Sequence, residues 1–267
     1  MVTAGTPPPG PVEGCVVLLA GPGVSTDVVA NFLASRVSRL VVVMENAPSR
    51  RRMAVRRARK LGWPAVTGQL LFVVAALPIL RYSATRRVKE ILCAASVDAN
   101  PREPDERVSS VNDTRVIAIL TSLRPALVVV NGTRIIGTAI LESAGCPIVN
   151  MHAGITPRYR GVHGGYWALA EQHPEWVGST VHQVDAGIDT GAILAQTVFE
   201  VTSRDSFATY PTLHLVHGLP LLGAQVDKVM AGVELIPSSS GLAPGSHLYY
   251  HPTLWGYLWR RWSQGVR

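Results

Sequence analysis

Along the first half of the chain, short runs that are apolar throughout alternate with segments whose apolar residues recur at helical spacing. Val16 to Ala20 is followed by Gly21-Pro22-Gly23 and then by Val28, Val29, Phe32 and Leu33, which reads as strand, turn and helix. Leu40 to Met44 is a second β-branched run, and helical character follows it through Lys60. The polar stretch Asp98 to Asp113, with two prolines and many charges, reads as a loop. A helix is expected from about Asp113 to Ser122 on the spacing of Val116, Ile117, Ile119 and Leu120. Leu127 to Val130 reads as a strand, Ile135 to Ala144 as a short helix and Ile148 to Met151 as the next strand. Solid apolar strands are buried on both faces, and their alternation with helices implies right-handed parallel crossovers. The pattern predicts an α/β fold, a doubly wound, mostly parallel open sheet with helices on both faces.

The longest apolar stretch, Val66 to Leu80, is interrupted by Gly68, Gln69 and Pro78. It is shorter than the roughly 20 apolar residues of a membrane span, so a buried core helix is expected, with an interfacial segment as the alternative. With 267 residues, 47% of them apolar, there is material for a sizeable core. We expect a disordered Pro/Gly-rich leader over 1–14, a catalytic domain over 15–235 and an aromatic, basic extension over 236–267. The net charge of +7 is concentrated in Arg50, Arg51, Arg52, Arg56, Arg57, Arg59 and Lys60, a solvated helix face or a surface for anionic partners. Cys15, Cys93 and Cys146 form no C-x-x-C pair, which argues against a disulfide framework or zinc site and for a reducing, cytoplasmic setting. The Gly21-Pro22-Gly23 turn lacks the third glycine of a dinucleotide fingerprint, since Thr26 stands there, and is read as structural.

Two polar clusters carry the chemistry. Asn150-Met151-His152 closes an apolar strand at its C-terminal end, where open α/β sheets bind ligands. Alternate residues of a strand share a face, so Asn150 and His152 address one cavity while Met151 packs behind them. The loop Ala153 to Gly161, with Pro157, Arg158, Tyr159 and Arg160, would present polar groups at the mouth. The second cluster, Thr180 to Gly191, is a strand running into a glycine-bearing turn that carries Asp189. Alone, a turn aspartate is usually structural; beside Asn150 and His152 it becomes a candidate acid/base partner.

These residues resemble the folate-dependent formyltransferases, which include glycinamide ribonucleotide, methionyl-tRNA and sugar N-formyltransferases. Asn150-Met151-His152 is similar to the family's Asn-x-His, Thr156-Pro157-Arg158-Tyr159-Arg160-Gly161 to its loop, and Ile188-Asp189-Thr190-Gly191 to its aspartate turn. Gly132, Thr133, Arg134, Ile135 and Ile136 match the strand and turn before the cofactor pocket, and the likeness runs from about Val116 to Val201.

The resemblance implies a formyl donor, 10-formyltetrahydrofolate, and a primary amine acceptor. Asn150 and a protonated His152 would serve as donors to the oxyanion, and Asp189 would accept a proton and hold His152 charged. The pterin would be read at Gly132, Arg134, Ile135 and Ile136 and at Val184 and Asp185. Tyr159, Arg160 and His163 would lie on the acceptor side, and no metal is required. His214 and His217 form an H-x-x-H pair, for which a structural role is expected. An amino sugar, phosphate-bearing or lipid-linked, is the expected acceptor, and nucleic acid is not. The alternatives are a formyltetrahydrofolate hydrolase and a non-catalytic protein that binds phosphate or a membrane surface. The basic run, the apolar stretch and the aromatic end (Tyr249, Tyr250, Trp255, Tyr257, Trp259 and Trp262) leave peripheral contact with the inner face of the membrane open.

Overall fold

The computed structural model describes residues 14–47, 50–238 and 241–267, with the side chains of 50–54 and 56 outside that description. The expected leader therefore lies outside it except for Gly14, as do the side chains of Arg50, Arg51, Arg52 and Arg56.

The elements run β1 (Cys15–Ala20), α1 (Val24–Ala34), β2 (Arg39–Glu45), α2 (Arg50–Leu61), α3 (Trp63–Leu71), a π-helical turn (Phe72–Ala76), α4 (Leu77–Ala94), β3 (Glu106–Val108), α5 (Thr114–Leu123), β4 (Leu127–Asn131), α6 (Thr138–Ser143), β5 (Ile148–His152), β6 (Tyr159–Gly161), α7 (Gly164–Ala170), β7 (Gly178–Gln183), β8 (Ile193–Val198), α8 (Tyr210–Met230), β9 (His247–Tyr249) and α9 (Leu254–Gln264). The main sheet has the order β3-β2-β1-β4-β5-β7-β8, and β6 and β9 pair separately. The first five strands of the main sheet are parallel, whereas β7 and β8 are antiparallel additions at one edge.

Period-two alternation explains the solid runs. Val16, Leu18 and Ala20 of β1 pack on the side of α1 and α8, while Val17 and Leu19 pack on the side of Val116, Leu120 and Ile140 from α5 and α6. A third cluster joins Phe72 and Ile91 to Tyr159, Tyr166, Phe207 and Tyr257, so the 236–267 segment shares a core with the loop ahead of α7.

Three local readings are corrected. The expected loop Asp98 to Asp113 contains β3, a three-residue edge strand paired on one side only and therefore too short to show a period. The helix expected from Ile135 begins at Thr138, because Gly132 to Gly137 is a loop. Gly68, Gln69 and Pro78 do not interrupt the helix: α3, the π-helical turn and α4 run on as one, and Pro78 follows the π-helical turn closely. Trp63–Ala94 is one helix, long and apolar enough to cross a membrane by length and composition, and only 28% of its most apolar window is buried. The helix is thus longer than the apolar stretch expected to be too short to span, and the expected core burial holds on one side only, through Val66, Phe72 and Leu77.

Candidate active site

On β5, Val149 and Met151 belong to the α1/α8 side of the sheet, which turns Asn150 and His152 to the other face. The antiparallel register sets Asn150 opposite His182 and His152 opposite Thr180. Asn150 Nδ2 lies 3.2 Å from His182 Nε2, and His182 Nδ1 lies 2.7 Å from the Gln183 carbonyl. A carbonyl only accepts, so His182 Nδ1 donates to Gln183, and its Nε2 lies between the Asn150 amide and Asp189. Asn150 keeps a second N–H with which to donate.

His152 is buried, and its Nε2 donates to the Tyr159 carbonyl at 2.7 Å. Its Nδ1 faces Asp189 Oδ2 at 3.4 Å, and the other Asp189 oxygen lies 3.6 Å from His182 Nε2. The Gly161 N–H donates to Asp189 Oδ2 at 2.8 Å. Asp189 is held in a left-handed backbone conformation, φ 50°, one that aspartate tolerates better than most residues. Burial acts to raise its carboxyl, but His152, His182 and the Gly161 N–H outweigh it and bring the group to about 2. Burial pushes the His152 imidazole below its ordinary value against the pull of Asp189 and the Tyr159 carbonyl. In that neutral form the proton sits on Nε2, and Nδ1 offers a lone pair beside a carboxylate. Both ring nitrogens meet protein groups, so His152 is held between the Tyr159 carbonyl and Asp189 in either charge state.

The loop before α7 is anchored by its side chains. Tyr159 is fully buried, its ring stacked on Tyr249 and its hydroxyl donating to Glu171, which also accepts from Arg158 and Tyr249. Tyr159 therefore offers its carbonyl to the site and its ring to the core, which corrects the acceptor-side reading of that side chain. Gly161 has φ 93°, and a Cβ there would sit 2.3 Å from the Tyr249 carbonyl, so the position requires glycine. Arg160 reaches the Ile188 carbonyl at 3.3 Å and braces the turn that carries Asp189. His163 lies apart from this centre: its Nε2 is 2.9 Å from His251 Nδ1 and its ring packs on Phe207.

On the folate-side positions, Arg134 is tied down by Glu45, which accepts from its backbone N–H at 2.7 Å and its guanidinium at 2.8 Å. The Ile135 carbonyl accepts from Asn112, and the Ile135 side chain is exposed. Ile136 is buried in the α5/α6 cluster, and Val184 packs against the same cluster, so the two expected pterin segments border one apolar core. Asp185 accepts from the Gly187 N–H and from Thr190, a turn cap. Thr26 donates to the Gly21 carbonyl and accepts from Asn131, filling the first turn of α1. His214 is buried with Nδ1 against Ser179, and among the described residues no group of three or more His, Cys, Asp or Glu could hold a metal ion.

The sequence profile of the formyl transferase family matches residues 41–213 of this chain, more than half of it, including Asn150, His152 and Asp189. The chain belongs to the formyl transferase family. It is 40% identical over 129 residues to the methionyl-tRNA formyltransferase of Anaeromyxobacter dehalogenans, a match covering 48% of this chain and 40% of that one. It is 37% identical over 125 residues to the phosphoribosylglycinamide formyltransferase of Mycobacterium tuberculosis, covering 46% of this chain and 58% of that one. The matched stretch thus spans about half the length of these curated relatives or less. A sugar N-formyltransferase structure from Shewanella shares the fold, with a TM-score of 0.53 at 16% identity over 86% of this chain and 75% of that one.

Sequence reasoning about this family member missed His182, whose signal was nonetheless present. Thr180 and His182 are polar at alternate positions of a strand that is otherwise buried, the same mark that singled out Asn150 and His152.

Proposed function

We propose that this formyltransferase moves a formyl group from 10-formyltetrahydrofolate to the primary amine of an amino sugar. One observation carries the reading: the Asp189 carboxylate is set against His152 and His182, with Asn150 hydrogen-bonded into the same group. The folate supplies the formyl carbon. The residues supply a proton acceptor and a donor. The substrate ammonium gives its proton to His152 Nδ1, where Asp189 stabilises the imidazolium. The freed amine bonds to the formyl carbon, and the remaining Asn150 N–H donates to the formyl oxygen as negative charge grows there. Collapse breaks the bond to the folate nitrogen, which takes the proton from Nδ1; the second proton of the attacking nitrogen then leaves to solvent by way of the vacated Nδ1, giving the neutral formamide.

The segments Gly132 to Ile136 and Val184 to Asp185 suit a flat heterocycle. They combine a shared apolar core, an exposed Ile135 and, at Gly132, a backbone with no heavy atom close to where a side chain would start. A phosphate-bearing acceptor is supported on the other side. Burial takes His251, the partner of His163, down to about 4, and the charges of Arg57 and Arg81 add to the effect, so cations stand near that pair. The three free thiols fit a reducing, cytoplasmic compartment.

The test is incubation with 10-formyltetrahydrofolate and a panel of amino-sugar nucleotides, reading folate release and product mass together. A formylated sugar supports the proposal. Release of formate without any product mass favours the hydrolase, and folate binding without turnover favours a non-catalytic protein.

A further inference from the structure

The helix Trp63–Ala94 and α9 carry the largest apolar side chains that the fold leaves outside. On the first, Leu70, Leu71, Val74, Ile79 and Tyr82 are exposed, Val74 at 71% and Tyr82 at 87%, while Val66, Phe72, Leu77, Ala84 and Ile91 are buried. On α9, Trp255, Leu258, Trp259 and Trp262 are all exposed and follow the i, i+3, i+4, i+7 spacing of one helical stripe, with Trp262 at 85%. The two helices are neighbours. The Gly68 backbone approaches Trp255 so closely that a Cβ would meet the indole at 2.4 Å, and Phe72 packs on Tyr257. Exposed apolar surface of this extent marks an interaction site.

Charge says what covers it. From Trp63 to Lys89 and from Leu254 to Arg267 the sequence contains no aspartate or glutamate, yet it holds Arg81, Arg86, Arg87, Lys89, Arg260, Arg261 and Arg267. Lys89 and Arg261 are exposed, and among the described residues neither is paired with a carboxylate. A cavity of about 190 Å³ between α4, α9 and the Ser203–Thr209 segment is lined by Arg87, Arg204, Arg261 and Arg267, by serine and threonine hydroxyls and by Asp205, which pairs with Arg87, while Arg204 pairs with Glu90. A second copy docked by a two-fold axis would bring these cations against themselves. An anionic bilayer surface complements them and takes tryptophan, aliphatic and cationic side chains together.

We propose that the face formed by the helix Trp63–Ala94 and α9 is a docking surface for an anionic phospholipid bilayer. The helix lies in the interface rather than across it, because its opposite side is packed on the core through Phe72 and Ile91. The apolar stripes enter the acyl boundary, and the cations sit at the headgroups.

The experiment is co-sedimentation of the full chain with vesicles of phosphatidylcholine containing phosphatidylglycerol, against phosphatidylcholine alone, at low and high salt. The wild type is expected to pellet with the anionic vesicles and to be released by salt. Reversing two charges, in Lys89→Glu/Arg261→Glu, is expected to weaken partitioning at least about tenfold. Trp259→Ser/Trp262→Ser is expected to weaken it on both vesicle types, and circular dichroism on both variants reports that the fold is retained. Recovery of the wild type in the supernatant at low salt overturns the proposal, as does undiminished binding by the folded variants. A dimer in light scattering that the tryptophan substitutions dissolve also overturns it, and assigns the face to a second copy.

Discussion

Asp189 Oδ2 lies 3.4 Å from His152 Nδ1 because the turn after β7 folds back through a left-handed residue onto the face of β5. The carboxylate stays ionised far below neutrality, so the imidazole it faces always has an anion ready to receive its charged form. Loss of either side chain should act on the chemical step. His152→Ala and Asp189→Asn are each expected to lower kcat at least about 100-fold while far-UV circular dichroism is unchanged. Turnover near that of the wild type in either variant would remove the pair from the mechanism.

The Gly161 N–H that holds Asp189 belongs to a backbone only glycine adopts without strain. Gly161→Ala would bring a methyl against the Tyr249 carbonyl and swing the N–H away, leaving Asp189 without that bond. The expected outcome is a lower kcat with folate affinity close to the wild type, since the folate-side segments do not touch Gly161. Steady-state kinetics beside a folate titration separates the two.

Glu45 is buried and ties the folate-side loop down through the Arg134 backbone, its guanidinium and the Val111 N–H. Removing one partner of a buried charge pair strands the other. Glu45→Ala is expected to cost about 3 kcal/mol in urea unfolding, and Glu45→Gln, which keeps acceptors in place, distinctly less. Equal stability of Glu45→Ala and the wild type would contradict this account.

A tetrahydrofolate analogue carrying a 5-formyl group should raise the melting temperature, and NAD should not. Thr26 occupies the turn where a dinucleotide site needs glycine, and its hydroxyl is committed to Gly21 and Asn131. Thermal shifts with both ligands decide it; stabilisation by NAD alone would reverse the assignment.

Acid should destabilise the fold through its buried histidines. Burial takes His214 from 6.5 down to about 3, and His152 moves the same way. The unfolded chain therefore binds more protons in this interval, so the contribution is complete above about 6.5 and is lost as pH falls toward 3. Asp189, depressed from 3.8 to about 2, contributes above 3.8 and loses that contribution as pH falls through 2. The melting temperature is expected to drop on acidification below 6.5. His214→Gln should drop less steeply over the same range, and parallel slopes would show that His214 does not titrate on unfolding.

The sheet was legible because burial on both faces writes itself as uninterrupted β-branched runs, as at Val16 to Ala20 and Leu127 to Val130. Asn150 and His152 stood out because they alternate at a strand end, whereas Asp189 read alone as a structural turn residue and became a candidate only beside them. What failed was set by tertiary contact. The Tyr159 side chain reads as a polar loop residue until Tyr249 and Glu171, far along the chain, are brought to it. The exposed stripe of Trp63–Ala94 has the composition of a core helix, and only packing tells which side faces out. The helix α8 carries Pro220 in its interior, a residue that sequence patterns treat as a terminator.

The pairing of β6 with β9 has a consequence for synthesis on the ribosome. A nascent chain halted before His247 already contains Asn150, His152, Tyr159 and Asp189, yet lacks the strand that lies beside Tyr159, Arg160 and Gly161. The Tyr159 carbonyl and the Gly161 amide gain their register from residues translated after all of these side chains. The folate-side half can condense early, as vectorial folding favours, while the catalytic loop waits for the chain to emerge. The register of this loop is therefore set only after every side chain of the site has been made.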